Sequence, residues 1–340
     1  MNTYTKFIVK NYLTSLLNVF FVFFSLIFVL NLLTELEFFK QTDVNIFFPL
    51  YLSLINSPMF VFEMFPFIFL ISTQFFFSKL FNHNEMNIFK YSGLKNSKIF
   101  SIIILATFFL GIIIITIFYN FSSNLKNLYL GLKSNYTEDN KYLAVITNNG
   151  LWIKDIYDEK TLMINAGLVN QNELLDAYIS EFDKNYEIIR NIKSKKIDIT
   201  NKEWIIKNAE IYIQNNKSIV DELKFNTNFD YKIIQNLFSN MSSLSFLELI
   251  EMRKNYKKLN YSLTEIDLQI LKLISFPFYF ILMFIFSAII MMNTKTFKSK
   301  SLKIIIGLFL SVIIYYLNNF FYVLGTPEKI NVISSVIIPL

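Results

Sequence analysis

Residues 12–34 read YLTSLLNVFFVFFSLIFVLNLLT, an unbroken run without a charged residue. A helix of about 20 apolar residues crosses the ~30 Å hydrocarbon core of a bilayer, so the run predicts a transmembrane span. It is too long for the apolar part of a signal peptide and lacks a small-residue cleavage site, so it reads as retained. Similar runs recur along the chain. A second apolar block extends from Val44 to Phe81 and holds Pro49, Pro58, Glu63 and Pro66. Its length and prolines predict an interfacial or protruding part followed by a span near residues 60–81. A third span covers Ile99–Tyr119, a fourth 268–292 and a fifth about 304–324. A sixth begins at Ile330, but only 11 residues remain before Leu340. Either the sequence stops inside that span, the favoured reading, or the segment only inserts among the others.

Composition agrees with a membrane class. Hydrophobic residues make up 54% of the 340 and charged residues 17%, with a mean hydropathy of +0.42; soluble domains average about 25% charged. Phe, Ile, Asn, Lys and Tyr are all abundant, the bias of an A+T-rich coding sequence, so the Asn-rich runs carry no prion-like or glycan meaning. Cysteine is absent and His83 is the only histidine. That excludes disulfides and His/Cys metal clusters.

Residues 120–265 break the pattern, with 19 Lys/Arg and 19 Asp/Glu evenly mixed. Short runs there suit strands: YLAVIT at 142–147, LWIKD at 151–155, EIIRNI at 187–192 and EIYIQ at 210–214. The Asn149-Gly150 pair is a hairpin signal. LSFLELIEMRKNYKKLNYSL, near 244–263, has helical spacing and leads back to the membrane. The expected fold is a membrane α-helical bundle of six spans, 3+3, with an inserted all-β jellyroll-like domain. The expected divisions are spans one to three at 1–119, the β domain and return helix at 120–265, and spans four to six at 266–340.

Short Lys-rich loops stay in the cytoplasm. Lys6 and Lys10, the 79–98 loop with four Lys against Glu85, and Lys295, Lys298, Lys300 and Lys303 all fall on one side of alternating spans. The opposite side takes Glu35, Glu37 and Asp43 and the β domain. The N-terminus is therefore expected inside and the β domain exported.

The sequence holds no Gly-rich phosphate loop, no His-Glu metal helix and no Gly-x-Ser-x-Gly elbow. No catalytic residue, metal ligand or nucleic-acid surface is read from it. The stretch NEMNIFKYSGLKNSK at 84–98 is the exception to plain span-and-loop architecture. Met86, Phe89 and Leu94 are spaced to fill a groove on a partner as an amphipathic helix. Glu85 suits a helix start, and Ser92-Gly93 suits an end or bend. Equally, its lysines can simply anchor topology against anionic lipid.

The layout and several stretches resemble the LptF/LptG permeases of the Gram-negative lipopolysaccharide exporter. The stretches are FPFIFL at 65–70, NEMNIFKYSGLK at 84–95, GLWIKD at 150–155, TLMINA at 161–166, EWIIKNAEIY at 203–212, FPF at 276–278, and YYLNNFFYVLG at 315–325 leading to Pro339. The family's acidic residue and Ser-Gly pair match Glu85 and Ser92-Gly93, and GLWIKD, with its Trp152, looks more like LptG than LptF. The resemblance implies a permease subunit of an ABC-type exporter in the bacterial inner membrane, paired with an LptF-type permease and an LptB-type ATPase dimer. Lipopolysaccharide would pass from the membrane through a periplasmic β-jellyroll to an LptC-type bridge protein. ATP would be bound by the partner, with no cofactor and no enzyme activity on this chain. The resemblance also implies ATPase coupling through Glu85, Met86, Phe89, Ser92, Gly93 and Leu94. The candidates for lipopolysaccharide contact are Lys40, Trp152, Ile153 and Trp204, each of which also suits an ordinary interfacial or core role. Glu63, Lys272 and His83 read as interfacial residues. The alternative classes are a membrane scaffold or mechanotransmitter, and a sensor with an exported β domain.

Overall fold

A computed structural model describes residues 3–42, 44–134, 136, 151–170, 172–214, 216–231, 233–234, 240–258, 261–292 and 299–340. It divides into two compact units: Met1–Tyr129, Ser242–Leu247 and Thr264–Leu340, and Leu130–Met241 with Glu248–Leu263.

The first unit is helical. In lipid every backbone polar group needs an internal partner, which leaves an apolar run only the helix. α1 (Thr3–Phe38) obeys this to the side chains: Ser15 and Ser25 donate to the carbonyls of Asn11 and Phe21 at 3.0 and 2.8 Å. α2 (Phe47–Asn82) is one helix of 36 residues. The part expected to protrude and the span expected near 60–81 are thus continuous. Pro58 and Pro66 lie inside it. The turn that loses a donor to Pro58 also holds Ser53 and Ser57, whose hydroxyls donate to Pro49 and Ser53 carbonyls at 2.7 and 2.6 Å. Buried prolines are tolerated where neighbouring groups saturate the backbone.

α3 (Glu85–Tyr91) is short. α4 (Asn96–Ile113) continues through a π turn at Ile114–Tyr119 into α5 (Asn120–Ser134), so the third span is longer than its apolar core. After the sheet come α6 (Phe246–Lys258), α7 (Thr264–Met292) and α8 (Lys300–Gly325). Among the described residues five helices are long and apolar enough to cross a membrane. The expected sixth segment forms only α9 (Val332–Ile337), capped by the Asn331 side chain.

α2 and α7 make the core of the bundle. Phe69 stacks on Phe280 at 4.5 Å, and Phe62, Phe65 and Phe276 pack around them. Small residues bring helices close, as membrane packing favours. A Cβ on Gly111 of α4 would stand 2.8 Å from the Pro277 Cα of α7, and one on Gly307 of α8 would overlap the Gln74 amide of α2. That amide donates to the Lys303 carbonyl at 3.1 Å. The buried Tyr12 hydroxyl lies 3.2 Å from Thr107 and 3.5 Å from Thr73, joining three helices.

The second unit holds a six-stranded antiparallel sheet: β1 (Leu151–Tyr157), β2 (Lys160–Asn170), β3 (Glu173–Phe182), β4 (Ile188–Asp198), β5 (Glu203–Ile213) and β6 (Asn216–Asn226), paired in chain order. Alternation puts Leu151, Ile153, Leu162, Ile164, Ile179, Ile192, Trp204 and Ile206 on one buried face, as period-two patterning requires. The run at 142–147 and the Asn149-Gly150 pair lie outside the described residues. The β1–β2 hairpin turns instead on Asp158 and Glu159, both at positive φ, the two-residue geometry that matches strand twist. Residues 227–231 and 233–234 cross the apolar face. Phe229 and Ile234 are buried there, and the Tyr231 N–H donates to the Ile199 carbonyl at 2.7 Å. The buried Asp155 fixes the crossing by accepting from the Thr227 hydroxyl and from the Asn228 backbone and side-chain N–H groups at 2.7–2.9 Å.

Candidate functional site

The 84–95 stretch folds into a corner, a helix of about two turns and a stop. Asn84 takes a left-handed φ of 55°, and α3 starts at Glu85. The helix ends in a two-bond cap: the Leu94 N–H donates to the Phe89 carbonyl at 2.9 Å and the Gly93 N–H to the Lys90 carbonyl at 3.0 Å. This is the Schellman arrangement, which needs a left-handed residue one past the helix; Gly93, at φ +81°, supplies it. The Ser92 hydroxyl donates to the Phe89 carbonyl at 2.8 Å. Ser-Gly is therefore the helix stop.

The side chains divide differently from the spacing argument. Met86 is buried, Leu94 is half-buried, and Phe89 is half-buried with its ring edge-on to Phe7 of α1 at 6.1 Å. Within this chain Met86 is covered, and Phe89 and Leu94 keep part of their surface open. The exposed apolar residues are Ile88 and Tyr91, the latter 90% exposed, flanked by Lys90 and Lys95. Glu85 is half-buried, and its Oε2 is enclosed without a hydrogen bond among the described residues.

The lipopolysaccharide candidates do not share one surface. Lys40 is exposed in the short turn Phe39–Gln41 that follows α1, in the helical unit. Ile153 and Trp204 lie on the buried face of the sheet, where the Trp204 indole donates to the Phe229 carbonyl at 2.8 Å. Trp152, between two inward residues, faces outward and is 63% exposed, so it lies on the opposite face from Ile153.

Several charges of the helical unit are buried or hydrogen-bonded. Glu35 is buried and accepts from the Tyr129 hydroxyl at 2.7 Å, while Lys126 donates to Asn56 at 2.8 Å. Glu63 and Lys272, read one by one as interfacial charges, line one shared cavity of about 230 Å³. In the sheet, burial pushes the Glu181 carboxyl up, but hydrogen bonds and charge from Lys160 and Arg190 outweigh it and hold it below the usual range. Among the described residues no group of three His, Cys, Asp or Glu gathers to hold a metal.

Among the described residues, five membrane-length helices with an antiparallel sheet inserted between the third and fourth define a multi-pass membrane protein with an inserted β domain. Residues 6–340 match the family model of the lipopolysaccharide export system permease LptF/LptG, and the chain belongs to that family. The match does not separate the LptF type from the LptG type. No individual curated protein matches the chain.

Proposed function

We propose that this chain is the LptG-type subunit of an ABC-type lipopolysaccharide exporter, coupled through α3 to a cytoplasmic LptB-type ATPase dimer that binds the ATP. The observation that carries the coupling is the division of α3. Met86, Phe89 and Leu94 tie the helix to its bundle, and Ile88, Tyr91 and Lys90 are left outside. A helix anchored on one face and apolar on the other suits a partner groove and passes a push to the spans at either end. The Lys-rich 79–98 loop supports a cytoplasmic α3 and N-terminus, with the sheet in the periplasm.

Lipopolysaccharide would meet Lys40 at the headgroup level, where an ammonium pairs with phosphate. Its acyl chains would then follow the apolar face of the sheet, with Ile153 and Trp204 in the wall, on the way to an LptC-type bridge. Access to that face needs the segment around Phe229 to lift. An LptF-type permease completes the pair. The test is co-purification with the ATPase. Tyr91→Ala with Ile88→Ser should weaken recovery by the roughly 30-fold that a ~2 kcal/mol interface anchor gives, while Trp152→Ala changes nothing. Full ATPase recovery in the α3 variant would sink the coupling role.

A further inference from the structure

Glu63 of α2 and Lys272 of α7 face the same cavity in the bundle, together with Tyr279, Tyr315, Asn318 and Tyr322. Neither charge has a hydrogen bond or ion pair with any described residue; they interact electrostatically across the space. The Lys272 ammonium stands 5.3 Å from the centroid of the Tyr322 ring. Charges at membrane depth are costly and normally carry a function or a partner. The cavity, at about 230 Å³, is far larger than the ~10–15 Å³ one water occupies.

The helix lengths allow it the depth of lipid headgroups. Lys272 is eight residues into α7, about 12 Å by helical rise. Tyr322 is three residues from the end of α8. α2, with 36 residues, is about 54 Å long and overshoots the ~30 Å apolar core by about 24 Å. An overshoot at the Phe47 end brings Glu63, sixteen residues into α2, to the boundary. The walls mix apolar Pro66 and Phe276 with hydroxyls and amides.

We propose that this cavity binds a zwitterionic phospholipid by its headgroup, phosphate toward Lys272 and primary ammonium toward Glu63. A ligand carrying only an anion would set a like charge against Glu63, and one carrying only a cation would do so against Lys272. A phosphate–amine zwitterion answers both, and the neutral Tyr and Asn groups donate to its remaining oxygens. The site lies within one permease chain and does not depend on the export reading.

The test is native mass spectrometry of the purified protein from nanodiscs with equal phosphatidylethanolamine and phosphatidylglycerol. Wild type should retain the ethanolamine lipid about tenfold over the glycerol lipid, the ratio one ~1.4 kcal/mol contact gives. Glu63→Gln should bring that ratio to near one with total lipid retained, and Lys272→Ala should lose both lipids. The double exchange E63K/K272E, which keeps the charges balanced, should keep the ethanolamine preference and guards against misfolding of the single variants. Equal retention of the two lipids by wild type, or an unchanged ratio in Glu63→Gln, would overturn the proposal. So would displacement by soluble phosphoethanolamine without any bound phospholipid, or retention of lipopolysaccharide in its place.

Discussion

α2 and α8 are both long, apolar and membrane-spanning, yet 78% of the most apolar stretch of α2 is buried against 11% in α8. Hydropathy reports the solvent a helix tolerates, not the neighbour it has. Lipid tails are as apolar as Leu, so packing in a bilayer follows small and polar residues instead. α2 carries buried Ser53, Asn56, Ser57, Ser72, Thr73 and Gln74. α8 exposes Ile305, Phe309, Val312, Tyr316, Phe320 and Val323, spaced to run down one side, and meets α2 through Gly307. One helix is the pillar of the bundle and the other presents a free apolar stripe.

The sharpest way to break this contrast is the same change in both helices. Phe69→Ala, which removes a ring stacked on Phe280, should cost about 3 kcal/mol. Phe309→Ala on the exposed side of α8 should stay within about 0.5 kcal/mol. Unfolding titrations in mixed micelles compare the two, and equal losses would mean that α8 is as tightly packed as α2. The next effect is at their seam. Gly307→Leu must displace the Gln74 amide and should cost about 2 kcal/mol. Adding Gln74→Ala should return part of that loss; additive losses in a double-mutant cycle would place the strain elsewhere. A smaller effect concerns α3: Gly93→Ala forces a side chain into the left-handed region at about 1 kcal/mol, read as faster amide exchange at Gly93–Lys95 with the spans unchanged.

The smallest effect separates the sheet from both helices. Glu181 has a folded-state pKa below its unfolded value. Its contribution is therefore fully present above about pH 4.3, the ordinary Glu value, and is lost as pH falls through the lowered folded value. Lys160 and Arg190 are partly exposed, so solvent screening keeps the effect modest. Urea midpoints of the sheet from pH 5 to 2 should fall less steeply in Glu181→Gln than in the parent, whereas parallel curves would remove Glu181 from the pH response.

The spans were legible because a long uncharged run has one solution in lipid. The continuity of α2 was not, because Pro58 and Pro66 look like boundaries until Ser hydroxyls and packed neighbours are in place. The apolar residues of LWI at 151–153 and WII at 204–206 were expected to point inward together; Leu151, Ile153, Trp204 and Ile206 do, but period-two alternation turns Trp152 out, and the Asp158–Glu159 turn gave no Gly to find. In α3, periodicity identified Met86 and Phe89 as one apolar stripe, but a stripe cannot say whether it meets its own chain or another. That Glu63 and Lys272 share a cavity was not legible for a related reason. Each is a lone charge in its own segment, and only the fold brings them to one cavity.

The two tryptophans of the chain, Trp152 and Trp204, both belong to the sheet unit, one outward and one at the centre of the buried face. The helical bundle has none. Indole emission is thus a private signal of the sheet, whatever the spans are doing. Replacing Trp152 with Phe leaves a single fluorophore whose red shift would time the lifting of Phe229 off the sheet in the intact membrane protein.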